Sequence, residues 1–299
     1  MTPLGDWSVC LALFVMDAHL NTAVEPGRLT FMPCPPSDSS HEKTTVLALE
    51  RVARLLRKPQ CQRLLFITGA GLSADSGLPT YRGTGGLYDN TKTDEGVSIE
   101  DALSGRMLRT DPALCWKYIA QIEAGCRGAE PNAGHAAIAA LERDFDVWVL
   151  TQNVDGFHRK AGSSNVIDIH GDVHSLCCTV CLYQSAVDDY SRLSLPPECP
   201  KCGALVRPEV VLFGEMLPTD KLRILEMELS RGFDMVFSVG TTSVFQYIAA
   251  PVWHARQQGV PTVEINPGRS EVTGIVDHRF SAGAAATLSQ LLQKVQQES

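Results

Sequence analysis

Four apolar runs in this chain break into glycine or polar residues, and helical stretches lie between them. They are RLLFITGAG, with its strand at Leu64 to Thr68, DVWVLTQN at 146–153, FDMVFSVGT at 233–241 and VPTVEINPG at 260–268. A short run without apolar–polar alternation suits a strand buried on both faces, as in parallel sheets covered by helices. The segments between carry a different period. In 42–57, Val46, Leu49, Val52, Ala53 and Leu56 share one helical face, and 134–143, 246–258 and 284–297 also read as helices. The expected fold is therefore α/β, a Rossmann-like parallel sheet with helices on both faces. In such sheets ligands bind at the carboxyl ends of the strands, so the polar tips should converge on one site.

Composition narrows the function classes. The chain has 299 residues, 44% hydrophobic and 20% charged, enough for a sizeable core. With 26 Lys and Arg against 34 Asp and Glu, the net charge is −8, which argues against general nucleic-acid backbone binding. No apolar stretch approaches the length that spans a bilayer. The cysteines outside the two CxxC pairs follow no pattern, which suits a reducing, cytoplasmic setting. Residues 9–16, VCLALFVM, look like a signal-peptide core, but Asp6 precedes them and no basic residue does. Residues 1–40 are expected to be a disordered or extraneous extension. Residues 41–171 and 209–299 would form the Rossmann-like domain, and 172–208 a small inserted module.

Four motifs carry chemistry. Gly69-Ala70-Gly71-Leu72-Ser73 follows a strand and opens a helical stretch, the setting in which backbone amides cradle a pyrophosphate. It continues through Tyr81-Arg82-Gly83 to Gly86, a glycine-rich loop expected to move and close over a ligand. Without GK[ST] it is not a P-loop. Thr151-Gln152-Asn153-Val154-Asp155 ends the second strand; its amides and carboxylate suit ribose hydroxyls or an amide, or equally a helix N-cap. His170, at the end of VIDIH, has the side chain for a general base near neutral pH, although most histidines are not catalytic. Finally, Cys178-x2-Cys181 and Cys199-x2-Cys202 have zinc-ribbon spacing. Four thiolates close a tetrahedral site with no position for water, so one structural Zn2+ is expected rather than a redox pair.

Together GAGLSADSGLPTYRG, TQNVD, the His-Gly before the cysteine tetrad, RPEVVLFGE, VGTTS and EINPG resemble the sirtuins of bacterial type, NAD-dependent protein lysine deacetylases. The resemblance implies that Gly69, Ala70, Gly71 and Ser73 hold the NAD pyrophosphate. Arg82 would lie near the phosphates, and Tyr81 would stack on the reactive ribose where many members have Phe. Gln152, Asn153, Val154 and Asp155 would form the ribose and nicotinamide pocket, with Asn153 and Asp155 also catalytic. Gly240, Thr241, Thr242 and Ser243 would hold phosphate and the adenine-side ribose, Asn266 the adenosine ribose, and Ala285 the adenine. His170 would be the general base. The implied reaction is attack of the acyl-lysine oxygen on the ribose as nicotinamide leaves, giving an alkylimidate. His170 then frees the 2′ oxygen, and the products are lysine and 2′-O-acyl-ADP-ribose. Val210, Val211, Phe213, Gly214 and Glu215 resemble the segment that pairs with a substrate peptide backbone.

One departure bears on specificity. Members that remove succinyl or malonyl groups carry a Tyr-x-x-Arg pair, where alignment on Trp116 and EPNAGH places Ile119 and Ile122. Neither can pair with a carboxylate, so neutral acyl groups on protein or peptide lysines are expected. Mono-ADP-ribosyl transfer, a non-catalytic NAD-binding zinc-ribbon module and an ordinary dehydrogenase are the alternatives. The last has no need of the cysteine tetrad, and a pure binding module has no need of His170 together with Asn153 and Asp155.

Overall fold

The computed structural model describes residues 39–80 and 92–297, with side chains of the first helix from Val46 on. Of the expected extension, residues 1–40, the first 38 lie outside the described residues, as do the loop residues Tyr81 and Arg82, while Ser39 and Ser40 open the first helix. Six strands form the main sheet: β1 (Arg63–Thr68), β2 (Asp146–Thr151), β3 (Asn165–Asp168), β7 (Met235–Val239), β8 (Thr262–Ile265) and β9 (His278–Phe280). Their order is β3-β2-β1-β7-β8-β9, and every neighbouring pair is parallel. From β1 the chain moves outward to β3, then returns to add β7 on the other side. The order reverses between β1 and β7, which is where an open parallel sheet leaves a crevice at its carboxyl edge.

Helices cover both faces, as the apolar runs demand. Within β1, Leu64 and Phe66 face one layer while Leu65 and Ile67 face the other. The first layer contains α1 (Ser39–Leu56), α6 (Ala133–Leu141) and α10 (Ala284–Gln296), represented by Leu49, Ile138 and Leu288. The second contains α8 (Thr219–Arg231) and α9 (Gln246–Gln257), represented by Leu225 and Val252. Phe66 and Phe237, register partners on adjacent strands, stack with ring centroids 4.4 Å apart. The three-residue β9 and the charge-rich α8 were not expected. β9 is too short to show a period, whereas α8 carries one, Leu222, Leu225 and Leu229, that the sequence reading passed over.

A second, antiparallel sheet has the order β5-β4-β6, with β4 at Gly171–Cys178, β5 at Gln184–Ala186 and β6 at Val206–Val210. It shares a core with α3 (Ile99–Ala102), α4 (Gly105–Thr110) and α5 (Pro112–Cys126). The small lobe thus draws on residues 99–126 as well as on the cysteine-bearing stretch. Trp116 of α5 is fully buried there, and its indole N–H donates to the carbonyl of Val206 at 3.1 Å. A buried Trp needs such a partner, and this bond ties the helical insertion to the small sheet.

The Phe66–Phe237 stack gives a stability test. Phe237→Ala should cost about 3–5 kcal/mol, because neighbouring strands hold the cavity open. A urea titration should show a lower midpoint with little change in slope; an unchanged midpoint would refute the importance of the stack.

Candidate active site

Backbone contact between two loops shapes the crevice. After β1, Gly69 N–H donates to Val239 O at 3.1 Å and Gly71 N–H to Gly240 O at 2.8 Å. A Cβ on Gly71 would lie 2.7 Å from the Gly240 Cα, and one on Gly240 would lie 2.3 Å from the Leu72 nitrogen. Gly240 also has φ +58°, in the left-handed region. Glycine is needed on both sides for the loops to touch.

Side chains at the strand tips lock to these loops. Asn153 donates to Gly69 O and to Ser73 Oγ, each at 3.1 Å, and Ser73 donates to Asp155 Oδ2 at 2.7 Å. Asp155 also accepts the Phe157 amide at 3.0 Å, an Asx-type turn; the N-cap of the short helix that follows is Gly156, so neither Asn153 nor Asp155 takes the capping role open from sequence. Burial pushes the Asp155 carboxyl up, while the Ser73 and Phe157 hydrogen bonds hold it down. Across the crevice, Gln152 donates to Thr241 Oγ1 at 2.8 Å; within the far wall, Asn266 donates to Thr241 O at 2.9 Å.

His170 lies where β3 leads into the small lobe. Its Nδ1 is 3.1 Å from the Gln152 carbonyl and its Nε2 is 2.6 Å from the Tyr247 hydroxyl. Burial lowers its pKa to about 4, with the Gln152 carbonyl opposing the shift and Lys221 adding to it.

A cavity of about 1020 Å³ collects most of the expected residues. Gly69, Ala70, Gly71, Gln152, Asn153 and Val154 form one wall, and Gly240, Thr241, Thr242 and Asn266 form another. His170 lies between, and Val210, Val211, Phe213, Gly214, Glu215, Ile119 and Ile122 complete the side toward the small lobe. A neighbouring cavity of about 300 Å³ is lined by Ser73, Asp155 and Cys126 and shares Ala70, Asn153, Val154 and Ile122 with the larger one. Ser243 and Ala285 line neither. Buried Ser243, at φ 54°, shapes its loop by donating its amide to Thr241 Oγ1, while the Ala285 amide binds Asp75 Oδ2. Glu215 lines the cavity but is held by Arg207 at 2.6 and 2.8 Å, an anchor for the 210–215 segment. Sequence reasoning missed Phe245 and Tyr247, which line the cavity beside His170. A lone aromatic pair beyond VGTTS carries no spacing signal.

At the far end of β4, the sulfurs of Cys178, Cys181, Cys199 and Cys202 lie within 4.8 Å of one another. Two Sγ···Sγ separations are 3.5 Å, and the amides of Val180, Cys181 and Lys201 approach cysteine sulfurs at 3.4 Å. Amide donors favour thiolates, and four thiolates this close fit one tetrahedral ion of the zinc type. An eight-residue strand separates this cluster from His170, roughly 20–25 Å of chain, so the metal's part is structural.

The match to known proteins agrees with this geometry. The Sir2 family model matches residues 69–246. The chain belongs to the Sir2 family. It is 50% identical over 248 residues to NAD-dependent protein deacylase 2 of Pseudomonas aeruginosa, covering 82% of this chain and 96% of that one. Among solved structures it is similar to a Sir2 homologue mutant bound to ADP ribose, with 35% identity, TM-score 0.75 and coverage of 83% and 96%. It is also similar to a Sir2–p53 peptide–NAD+ complex, with 26% identity, TM-score 0.70 and coverage of 82% and 98%. The glycine turn, Gln152 to Asp155, His170 and Thr241 of this Sir2 protein fall within the matched region, and Asn266 lies beyond it.

One zinc per chain is expected by metal analysis. Cys199→Ala should lose the metal and several kcal/mol of stability together, since a closed thiolate site contributes folding energy. A metal-free preparation that keeps its full melting temperature would contradict this assignment.

Proposed function

We propose that this Sir2 protein removes acetyl and other neutral acyl groups from protein lysines, consuming NAD and releasing nicotinamide and 2′-O-acyl-ADP-ribose. The observation that carries the reading is the convergence of the Gly69–Gly71 turn, the Gln152–Val154 tip and His170 on one cavity of about 1020 Å³. That volume suits a dinucleotide together with an extended side chain. The chemistry of its polar walls, amides and hydroxyls beside a glycine turn, suits ribose and phosphate. When bound, NAD supplies the electrophilic ribose carbon and nicotinamide as the leaving group.

The chain's own residues then divide the work. The glycine turn lets backbone approach the diphosphate without Cβ atoms in the way, and Thr241 and Asn266 face the adenosine side. Asn153 and Asp155, held by Ser73, orient the nicotinamide end and its ribose where the two cavities meet. His170 accepts a ribose hydroxyl proton at Nε2, because Nδ1 already faces the Gln152 carbonyl. The 210–215 segment offers the substrate chain an extended edge beside Ile119 and Ile122. Protein substrates accord with the relative's activity as a protein deacylase. We place the reaction in the cytoplasm. No described helix is long and apolar enough to cross a membrane, and the eight described cysteines are unpaired, as in a reducing compartment.

His170→Ala should lower deacylation by about 10²–10⁴-fold, the usual worth of a positioned base. Nicotinamide exchange, which precedes the proton transfer, should suffer less; equal losses in both would remove the base from this role. Mass spectrometry of acetyl-peptide with NAD reads both products.

Acyl choice follows from Ile119 and Ile122. A neutral chain gains about 0.8 kcal/mol per buried methylene against them, whereas neither isoleucine can pair with a carboxylate. A penalty of about 2.7–4 kcal/mol corresponds to about 10²–10³-fold in kcat/KM for acetyl over succinyl peptide. Ile119→Tyr with Ile122→Arg should narrow the gap. Equal rates of the wild-type enzyme on both substrates would point to a cation from elsewhere: Arg127 is paired with Glu123, but Lys92 lines the neighbouring cavity with Ile122.

A further inference from the structure

His170 can act through one atom, and a phenol already occupies it. Nδ1 faces the carbonyl of Gln152 at 3.1 Å. A carbonyl only accepts, so the ring proton resides on Nδ1 and Nε2 keeps the lone pair. The Tyr247 hydroxyl, 2.6 Å from Nε2, therefore donates to that lone pair. Tyr247 is the second residue of α9, and two ring contacts hold it in place. It stacks on Phe245 with centroids 5.5 Å apart and 15° between planes, and it meets the His170 ring edge-on at 5.9 Å. All three rings line the large cavity.

An sp² nitrogen has a single lone pair. A ribose hydroxyl giving its proton to Nε2 needs the position that the phenol holds. We propose that Tyr247 is a positioning residue that caps the base: in the free protein its hydroxyl occupies Nε2 and fixes the tautomer, and a ribose hydroxyl must displace it before the proton moves. The inference rests on the reading of His170 as general base. In the step itself the ribose O–H bond breaks, an Nε2–H bond forms, and the oxygen keeps the electron pair for its attack. The phenol neither gains nor loses a proton.

The cap has a direction. The O–H···Nε2 bond stabilises neutral imidazole, and protonation requires the phenol to give up that bond and turn its oxygen to accept from Nε2–H instead. Burial and Lys221 act in the same sense, and the Gln152 carbonyl acts against them. Lys221 is itself paired with Asp168 at 2.9 Å, which leaves the phenol as the group in direct contact with the basic nitrogen.

The zinc-loaded full chain tests this by nitrogen-15 and proton NMR of His170, assigned by its loss in His170→Ala. Tyr247→Phe keeps the stacked ring and removes the hydroxyl. The pH of half-protonation of His170 should rise by about 0.5–1 unit, the worth of one net hydrogen bond. 3-Fluorotyrosine at position 247, a stronger donor, should move it the other way and serves if the Phe variant fails to fold. Saturating ADP-ribose should displace the phenol and bring the Nε2 shifts of wild type and Tyr247→Phe together. Unchanged titration in both variants overturns the cap, and shifts that stay apart with ADP-ribose overturn displacement. The acidic limb of deacylation should follow the NMR titration. A titration that moves while that limb stays fixed leaves the cap standing and overturns His170 as the base.

Discussion

The site depends on two backbones that touch. Parallel strands β1 and β7 lie side by side, and the loops leaving them turn toward each other instead of apart. Gly71 and Gly240 permit this because neither has a Cβ to spend on the contact, and any side chain there would meet backbone rather than a movable neighbour. The consequence is geometric. With the loops clasped, the polar tips of β1, β2, β7 and β8 all project into one crevice, and the sheet's order reversal becomes a cavity wall. The cross-crevice bond from Gln152 to Thr241 could not form if the loops stood a few ångströms further apart.

The small lobe supplies the other wall, and its stability is supplied differently. Its core is formed by the helices at 99–126 and a three-stranded sheet, too little apolar surface to be self-sufficient. The cysteine cluster closes one end and the Trp116–Val206 bond fastens the middle. Ile119 stands three residues after Trp116, on the same helix, so the residue that anchors the lobe also fixes where the acyl wall lies. On the proposed reading of Ile119, metal and acyl specificity are connected through one helix, although the metal is remote from the chemistry.

Much of this was legible in the sequence because it is periodic or local. Runs buried on both faces must be central parallel strands, and their tips had to converge. CxxC pairs at ribbon spacing had to meet, since four thiols so placed have little other use. What was not legible depends on tertiary contact. Ser243 and Ala285 sit next to lining residues in sequence, yet their backbones serve the loop and the helix start instead. The strand β9 is recognisable only by its pairing with β8, being three residues long with two polar side chains. Tyr247 was invisible for a different reason: a single phenol acquires meaning only from the nitrogen it happens to reach.

The polar floor of the cavity shows how such a site remains folded without its ligand. Asn153 and Asp155 are almost wholly buried, and a buried amide or carboxylate without partners would cost several kcal/mol. Here each is satisfied by the protein itself: Asn153 by Gly69 and Ser73, Asp155 by Ser73 and the Phe157 amide. Ser73 is shared between them, so moving either side chain unsettles the other, and the pair behaves as one unit. A ligand entering this floor exchanges hydrogen bonds more than it adds them, which keeps the gain in affinity modest. What it gains is orientation, because groups already fixed in place lose little entropy when they bind. The same logic covers the proposed base. A neutral His170, held at Nδ1 by a carbonyl and at Nε2 by a phenol, leaves no orphaned polar atom on its ring in the free protein, and engagement is a swap of partners.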